Sequence, residues 1–255
     1  LSGGVTDLFG FMNNVGLCDK LGLDGTSTGN TIAWAMECYE EGIITREETD
    51  GLELKFGNAE AAVKLVEKIA LREGFGNLFH GGLAKAVQRV GRGSERFAME
   101  VKGLEVPMHE PRGKKGLGLM YAVSNRGACH MQSMHDTDLE SPDIAPEIGI
   151  KKPLNRLDTS REKVLALKKT SDWTAMINSM ILCSNIYWFG SVYYRPVQQV
   201  EILNAVTGWD FIVEEFMTTG ERINTYCRAF NVREGFTAAD DLLPDRMFEP
   251  IRSGP

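Results

Sequence analysis

Along most of this chain the hydrophobic residues recur at intervals of three and four, the spacing that places them on one face of an α-helix. In the first hundred residues this pattern predicts four helices. They begin near Thr6, Gly29, Asn58 and Asn77 and extend to about Leu21, Gly42, Gly74 and Val90. Thr6 and Asn58 are of the types that cap helix N-termini, and glycine is the type that most often ends a helix.

The helical pattern returns in the last hundred residues. From about residue 159 a charged stretch gives way to the mostly apolar residues 173–182, which we interpret as a buried helix. Two further helices are predicted, one over residues 197–206 that ends at Gly208 and one over 211–232 that ends at Gly235. No alternation of apolar and polar residues is long enough to predict a β-strand. We therefore expect an all-α fold.

Between these helical regions, residues 91–155 are rich in glycine and proline and show no regular period. Long irregular segments inside compact domains are uncommon unless they carry function. We predict two mostly helical domains packed together, residues 1–99 and 100–255, with the irregular segment contributing to a functional site.

Composition narrows the classes of function and partner. Of 255 residues, 43% are hydrophobic and 25% charged, which is typical of globular proteins. A net charge of −7 without any cluster of lysine or arginine argues against nucleic acid as a partner. Because no run of eighteen apolar residues occurs, we predict no membrane-spanning segment and no membrane partner.

The cysteines and the first residue bear on cellular context. An odd and dispersed set of cysteines fits reduced thiols better than a disulfide framework, so we predict a cytoplasmic protein. The five are Cys18, Cys38, Cys129, Cys183 and Cys227. Because the chain begins with Leu1 and has no signal peptide, we expect it to start inside a longer protein.

Three segments carry candidate chemistry. Residues 19–30 hold two carboxylates, three glycines and three hydroxyls, which suits either a polar ligand site or a tight helix–turn–helix corner. His130 follows a segment rich in glycine and arginine, where it is either a structural residue or a proton-exchanging group in a pocket. Cys183 closes an apolar stretch and is either a buried small hydrophobe or a ligand whose partners lie elsewhere.

The motif of residues 19–24, Asp-x-x-Gly-Leu-Asp, followed by Ser27-Thr28-Gly29, resembles the first pterin-binding motif of the tungsten-containing aldehyde:ferredoxin oxidoreductases. The similarity spans residues 7–250, the order expected for domains 2 and 3 of that family. Its further matches are residues 29–37, Phe56-Gly57-Asn58, Arg112-Gly113, Asn125-Arg126-Gly127, Cys129-His130, Gly208-Trp209-Asp210 and the set Phe230, Asn231, Arg233 and Gly235.

This resemblance implies a tungsten or molybdenum centre held by two pterins (tungstopterin) and a nearby [4Fe–4S] cluster. Aldehydes would be oxidised to carboxylic acids, with electrons passing through the cluster to ferredoxin. His130 would be the pocket histidine near the metal, and Cys183 would be the fourth cluster ligand, the other three lying outside this chain. The pterin contacts implied are Asp19, Gly22, Leu23 and Asp24 for the first pterin and Asn178 and Leu182 for the second.

The chain departs from the family pattern in several places. The second pterin motif, Asp-x-x-Gly-Leu-Cys in the family, has Asn178 and Ile181 in place of aspartate and glycine. Positions that bind an interface iron in some relatives hold Asn13 and Gly16, so we expect no such iron, although a homodimer remains possible. The family's N-terminal domain and its three-cysteine run are absent, so we expect the chain alone to be inactive.

Two alternatives stay open. The first is a relative with another substrate, such as a tungsten-dependent aryl-CoA reductase. The second is a cofactor-free helical scaffold or interaction module that has kept only the fold.

Overall fold

The computed structural model describes residues 2–141, 145–187 and 194–251. Helices dominate it, so the all-α prediction is confirmed. The α-helices are α1 (Leu8–Leu21), α2 (Gly25–Glu40), α3 (Ala59–Leu71), α4 (Leu83–Val90), α5 (Lys115–Val123), α6 (Arg161–Ser179), α7 (Ser184–Tyr187), α8 (Pro196–Thr207) and α9 (Val213–Arg233). Short 3-10 turns cover Gly74–Phe79, Ser94–Phe97, Pro146–Ile148, Ala238–Asp240 and Asp245–Phe248.

Two short strands form an antiparallel hairpin. β1 (Glu100–Val101) pairs with β2 (Leu104–Glu105) in the register Glu100 with Glu105 and Val101 with Leu104. No helix within the described ranges has the length and apolar character that a membrane crossing requires.

The chain forms two compact units. Unit 1 consists of Leu1–Met108 together with Leu243–Pro255, and unit 2 consists of His109–Leu242. The division into domains 1–99 and 100–255, which the change of pattern near residue 100 predicts, stays a prediction.

The core of unit 1 lies among α1, α2, α3 and α4. Trp34, buried on α2, donates its indole N–H to the carbonyl of Ser94 at 3.0 Å and meets the ring of Phe79 edge-on. The predicted N-cap Asn58 is confirmed, since its side chain accepts from the N–H of Ala61 at 3.1 Å. α1 is capped by Asp7 rather than Thr6, through a 2.6 Å bond from the N–H of Gly10.

Three predicted helix boundaries in unit 1 are wrong. α2 starts at Gly25 rather than near Gly29, because the Asp24 side chain caps it earlier. α3 ends at Leu71, where the following residue adopts the left-handed conformation, rather than at Gly74. The helix predicted over residues 77–90 is divided, because Gly81 and Gly82 both have positive φ and separate a 3-10 turn from α4.

In unit 2, α6 packs against α9 at very short range. A Cβ at Gly220 of α9 would collide with the carbonyl oxygen of Asp172 on α6, so only glycine permits this approach. The buried indole of Trp173 donates to the side chain of Gln199 on α8 at 2.8 Å. The end of α8 at Gly208, in the left-handed conformation, is confirmed.

Two predictions about unit 2 need correction. The stretch 173–182 is buried only as far as Ile177, because α6 ends at Ser179 and Ile181 is 92% exposed. The segment 91–155, of which residues 142–144 lie outside the described residues, contains the unpredicted helix α5. Two glycines early in α5 weaken its helical pattern, and a carboxylate from a distant loop stabilises its first turn.

Candidate functional site

The segment 19–30 is a tight corner between two helices. α1 ends at Leu21 and is followed by Gly22, whose φ of 72° is left-handed. The N–H groups of Gly22 and Leu23 donate to the carbonyls of Asp19 (3.3 Å) and Cys18 (2.9 Å). Asp24 then caps α2 by accepting from the N–H of Ser27 at 2.7 Å. The link is therefore three residues long, and most of the polar residues of the motif lie on α1 or α2.

The second motif forms the same corner at the end of α6. Ile181 has a φ of +57°. The N–H groups of Ile181 and Leu182 donate to the carbonyls of Asn178 and Ile177, both at 3.1 Å. Cys183 precedes α7, as Asp24 precedes α2, and its carbonyl accepts from the N–H of Ile186 at 3.0 Å. We call these two segments, residues 19–24 and 178–183, the first and second corner; they belong to different compact units.

The first corner offers exposed hydrogen-bonding groups. Within the described residues, the carboxylate of Asp19 has no hydrogen-bond or ion-pair partner, and the position of a Cβ on Gly22 has no atom within 4 Å. The backbone N–H groups at the start of α2 add donors. A heterocycle with N–H and NH₂ groups, such as a pterin, fits this set of acceptors and donors.

The second corner offers a different set. Asn178 is exposed, and its amide has no partner among residues 2–141, 145–187 and 194–251. An amide both donates and accepts but carries no charge, so a pterin would meet a neutral group here. Leu182 is half-buried beneath the corner. Cys183 is an exposed free thiol.

Metal ligands are sparse in this chain. In the part of the chain that the structure describes, no group of three or more His, Cys, Asp or Glu side chains is arranged to hold a metal ion. A [4Fe–4S] cluster needs four thiolates. Cys183 could supply one of them, and the other three would have to come from outside the described residues.

His130 lies in a cluster of three histidines in unit 2. The ring centroids of His109 and His130 are 5.2 Å apart, those of His109 and His135 are 4.7 Å apart, and those of His130 and His135 are 6.0 Å apart. His135 is buried, and its Nε2 lies 2.9 Å from the carbonyl oxygen of His130. Because a carbonyl only accepts, Nε2–H of His135 is the donor.

A buried ion pair fixes the loop that carries these histidines. The carboxylate of Asp136 lies 2.7 Å from the ammonium of Lys163 on α6, and both side chains are almost fully buried. The same carboxylate accepts from the N–H groups of Gly116 (3.1 Å) and Leu117 (2.8 Å) at the start of α5. Lys163 also donates to the carbonyl of Asn155 at 3.1 Å. The loop is thereby joined to two helices.

The surroundings disfavour a positive charge on two of the three histidines, His109 and His135. Burial, and next the nearby His135, Lys114 and His130, lower the pKa of His109 to about 4. Burial also lowers the pKa of His135, although its bond to the His130 carbonyl acts in the opposite direction. Both rings are therefore uncharged at neutral pH.

Sequence reasoning selected His130 alone and missed His109 and His135. A signal was available, because three of the four histidines of the chain lie between residues 109 and 135. The fold brings together these three, and it places residues 19–24 and 178–183 in matching corners.

These features define a helical protein with two equivalent helix–turn–helix corners and a separate imidazole cluster. Residues 2–255 match the family model described as aldehyde ferredoxin oxidoreductase, domains 2 and 3, and the chain belongs to this family.

Among its relatives, the tungsten-containing aldehyde ferredoxin oxidoreductases of Pyrococcus furiosus and Thermococcus kodakarensis are 40% and 38% identical over 257 residues. An aliphatic sulfonate oxidoreductase subunit of Pyrococcus furiosus is 28% identical over 252 residues, 94% of this chain and 35% of that protein. The chain spans about 40% of the length of the two aldehyde oxidoreductases, which align with 99% of it.

Among solved structures, the chain is similar to the active-site complex of benzoyl-coenzyme A reductase bound to 1,5-dienoyl-CoA. The TM-score is 0.71 over 88% of this chain and 38% of that one, with 21% identity. At this identity the likeness concerns the fold alone.

Proposed function

We propose that this chain is the C-terminal part of a tungstopterin enzyme that oxidises aldehydes to carboxylic acids. The observation that carries the proposal is the repeated corner, because one backbone geometry occurs twice at the two expected pterin motifs. Relatives that are about 40% identical and carry the name of this activity support it. The chain alone would be inactive, since it would hold neither a complete pterin site nor a complete cluster.

Each predicted residue has a role in this proposal. Asp19 and Asp24, with the backbone of Gly22 and Leu23, would orient one pterin. Asn178 and Leu182 would contact the second pterin without a charge. Hydrogen bonds to the carboxylates of Asp19 and Asp24 would be charge-assisted, and such bonds are roughly twice as strong as neutral ones. The first pterin would therefore be held more firmly than the second.

The metal–pterin group, when bound, would supply the two-electron chemistry. Its metal would be tungsten or molybdenum. Oxidation of an aldehyde with water to a carboxylic acid releases two electrons and two protons. His130 would take up one of these protons and pass it to water. Cys183 would ligate the [4Fe–4S] cluster through which the electrons leave for ferredoxin or a similar carrier.

The same proposal covers assembly and location. Asn13 and Gly16 on α1 are exposed and offer no iron ligand, so a homodimer would form without an interface iron. The five free cysteines suit a reducing cytoplasm.

Elemental analysis tests the proposal. We would purify anaerobically the product of the whole native gene beside the 255-residue chain and measure tungsten, molybdenum and iron. We expect one tungsten or molybdenum atom and about four iron atoms per long protein. We expect none of the three metals in the short chain. Absence of all three metals from both proteins would overturn the proposal and favour a helical scaffold.

A pair of variants tests the first corner. Asp19→Asn in the long protein should lower its pterin and tungsten content, because a charged acceptor becomes a neutral amide. Glu67→Gln is the matched control, since Glu67 on α3 is also exposed and has no partner among the described residues. Equal losses in both variants would contradict the assignment. Reduction of an aryl-CoA thioester without oxidation of aldehydes would favour the reductase alternative.

A further inference from the structure

The three histidines of unit 2 do not have equal positions. His109 and His130 are half-buried, whereas His135 is only 4% exposed. The ring of His135 contacts both others, through a hydrogen bond from its Nε2–H to the His130 carbonyl and through an edge-to-face arrangement with His109 at 77°. His135 therefore lies beneath the other two and touches each of them.

The backbone is held in place both before and after His135 in the sequence. Its own N–H donates to Asp138 at 3.2 Å, and the next residue, Asp136, forms the buried ion pair with Lys163. Met134 is completely buried in the core of unit 2. Because the backbone is held at these points, the ring of His135 has little freedom to move.

The charged groups around the cluster are Lys114, Asp136 and Asp138. Lys114, which precedes α5, opposes a positive charge on His109 and on His135, whereas Asp136 favours one on His135. Asp136 is already paired with Lys163, and burial raises the pKa of Asp138. Asp136 and Asp138 are therefore both engaged in other interactions, which disfavours two positive histidines at once.

We propose that His109 and His130 form a pair of imidazoles that takes up a single proton, and that His135 is the positioning residue that holds the pair. The inference rests on the proposed function for its use in catalysis, where the pair would receive one proton of the aldehyde oxidation. The 5.2 Å separation of the two rings carries it. A charge on one ring disfavours a charge on the other at this distance, so the pair titrates as one coupled system.

Such a pair would serve proton transfer better than one histidine. A neutral imidazole close to a second one can accept a proton, which gives the pair a single positive charge, and can then transfer that proton to its neighbour without a further change in charge. The second proton would bind only at a much lower pH, so the site would return to the neutral state after each release to water.

Long-range proton–nitrogen NMR of the histidine-labelled chain tests this without any enzyme activity. Only four histidines contribute signals, and the exposed His80 in unit 1 is an internal reference. We expect His135 to show protonated Nε2 and unprotonated Nδ1. We expect His109 and His130 to titrate in two steps separated by more than about one pH unit.

Two variants separate positioning from simple folding. His135→Gln keeps an N–H near the Nε2 position and should preserve the two-step titration, whereas His135→Leu removes the donor and should merge the steps. His80→Gln is the control and should change neither step. Independent titration of His109 and His130 in the unmodified protein, or an unchanged titration in His135→Leu, would overturn the proposal.

Activity gives a second readout in the long protein. His135→Leu should lower kcat on the order of tenfold or more with little change in KM, and His135→Gln should restore most of it. If the long protein oxidises no aldehyde while the NMR coupling is present, the proposed function fails and the histidine pair stands. If it oxidises aldehydes without the coupling, the pair fails alone.

Discussion

Ile181 provides a direct test of the second corner. It is a β-branched residue in the left-handed region, at φ +57°, where glycine is normally found. For an L-residue this conformation costs about 1–2 kcal/mol. Replacement by glycine removes this cost, and it loses little burial because the side chain is 92% exposed.

Glycine also has a cost, because it gives the unfolded chain more conformational entropy. This lowers the free energy of unfolding by about 0.5–1 kcal/mol relative to alanine. The net expectation for Ile181→Gly is a stabilisation of unit 2 by about 0–1.5 kcal/mol. Urea unfolding should show a higher midpoint with an unchanged m-value for the transition of this unit. Ile181→Ala keeps a Cβ in the same conformation and should give a much smaller gain.

The reverse substitution at the first corner is the control. Gly22 has a φ of 72° and open space where a Cβ would lie, so Gly22→Ile adds backbone strain without a collision. It should destabilise unit 1 by a similar amount, about 0–1.5 kcal/mol. If Ile181→Gly lowers the stability of unit 2, the exposed side chain contributes contacts that outweigh the strain, and the reasoning is refuted.

Three further predictions concern unit 2. Lys163→Met should destabilise it by about 3–5 kcal/mol, because Asp136 would be left buried and unpaired; Asp136→Asn combined with it should recover part of the loss. Gly220→Ala should cost about 3 kcal/mol or more, because the new methyl group meets the Asp172 carbonyl; thermal unfolding measures it. Burial and neighbouring charges lower the pKa of His109 from its ordinary 6.5 to about 4, so the unfolded state binds more protons and the free energy of unfolding should fall as pH drops through this interval. Urea titrations at several pH values, with His109→Asn as the variant that loses this contribution, check the sign.

Local signals predicted most of the fold. The predictions that Asn58 caps the N-terminus of α3 and that α8 ends at Gly208 were correct, because each residue acts through hydrogen bonds to its own helix. Two boundaries failed for local reasons, the cap at Asp24 and the left-handed Arg72, and the other failures depend on distant partners or on adjacent glycines. α5 was missed because its first turn is stabilised by Asp136, about twenty residues further along the chain. Periodicity reports only neighbours along the chain, so it cannot detect such a cap.

The same distinction applies to the candidate site. The two corners were located because each is a continuous motif, whereas the histidine cluster depends on side chains that only the fold brings together. His130 was selected from its local context. His135 was not, because burial and a bond to another residue's carbonyl leave no trace in the spacing.

The second corner separates what the backbone requires from what the ligand requires. Since Ile181 adopts the left-handed conformation without a glycine, the bonds to the Asn178 and Ile177 carbonyls and the start of α7 must outweigh the strain. The change from the family motif therefore alters the side chains presented and leaves the backbone frame intact. A ligand at the first corner would meet a carboxylate, and a ligand at the second would meet a neutral amide and an exposed apolar side chain. Under the proposed function, two chemically identical pterins would be held by one backbone geometry with unequal strength, because only the first would gain charge-assisted bonds.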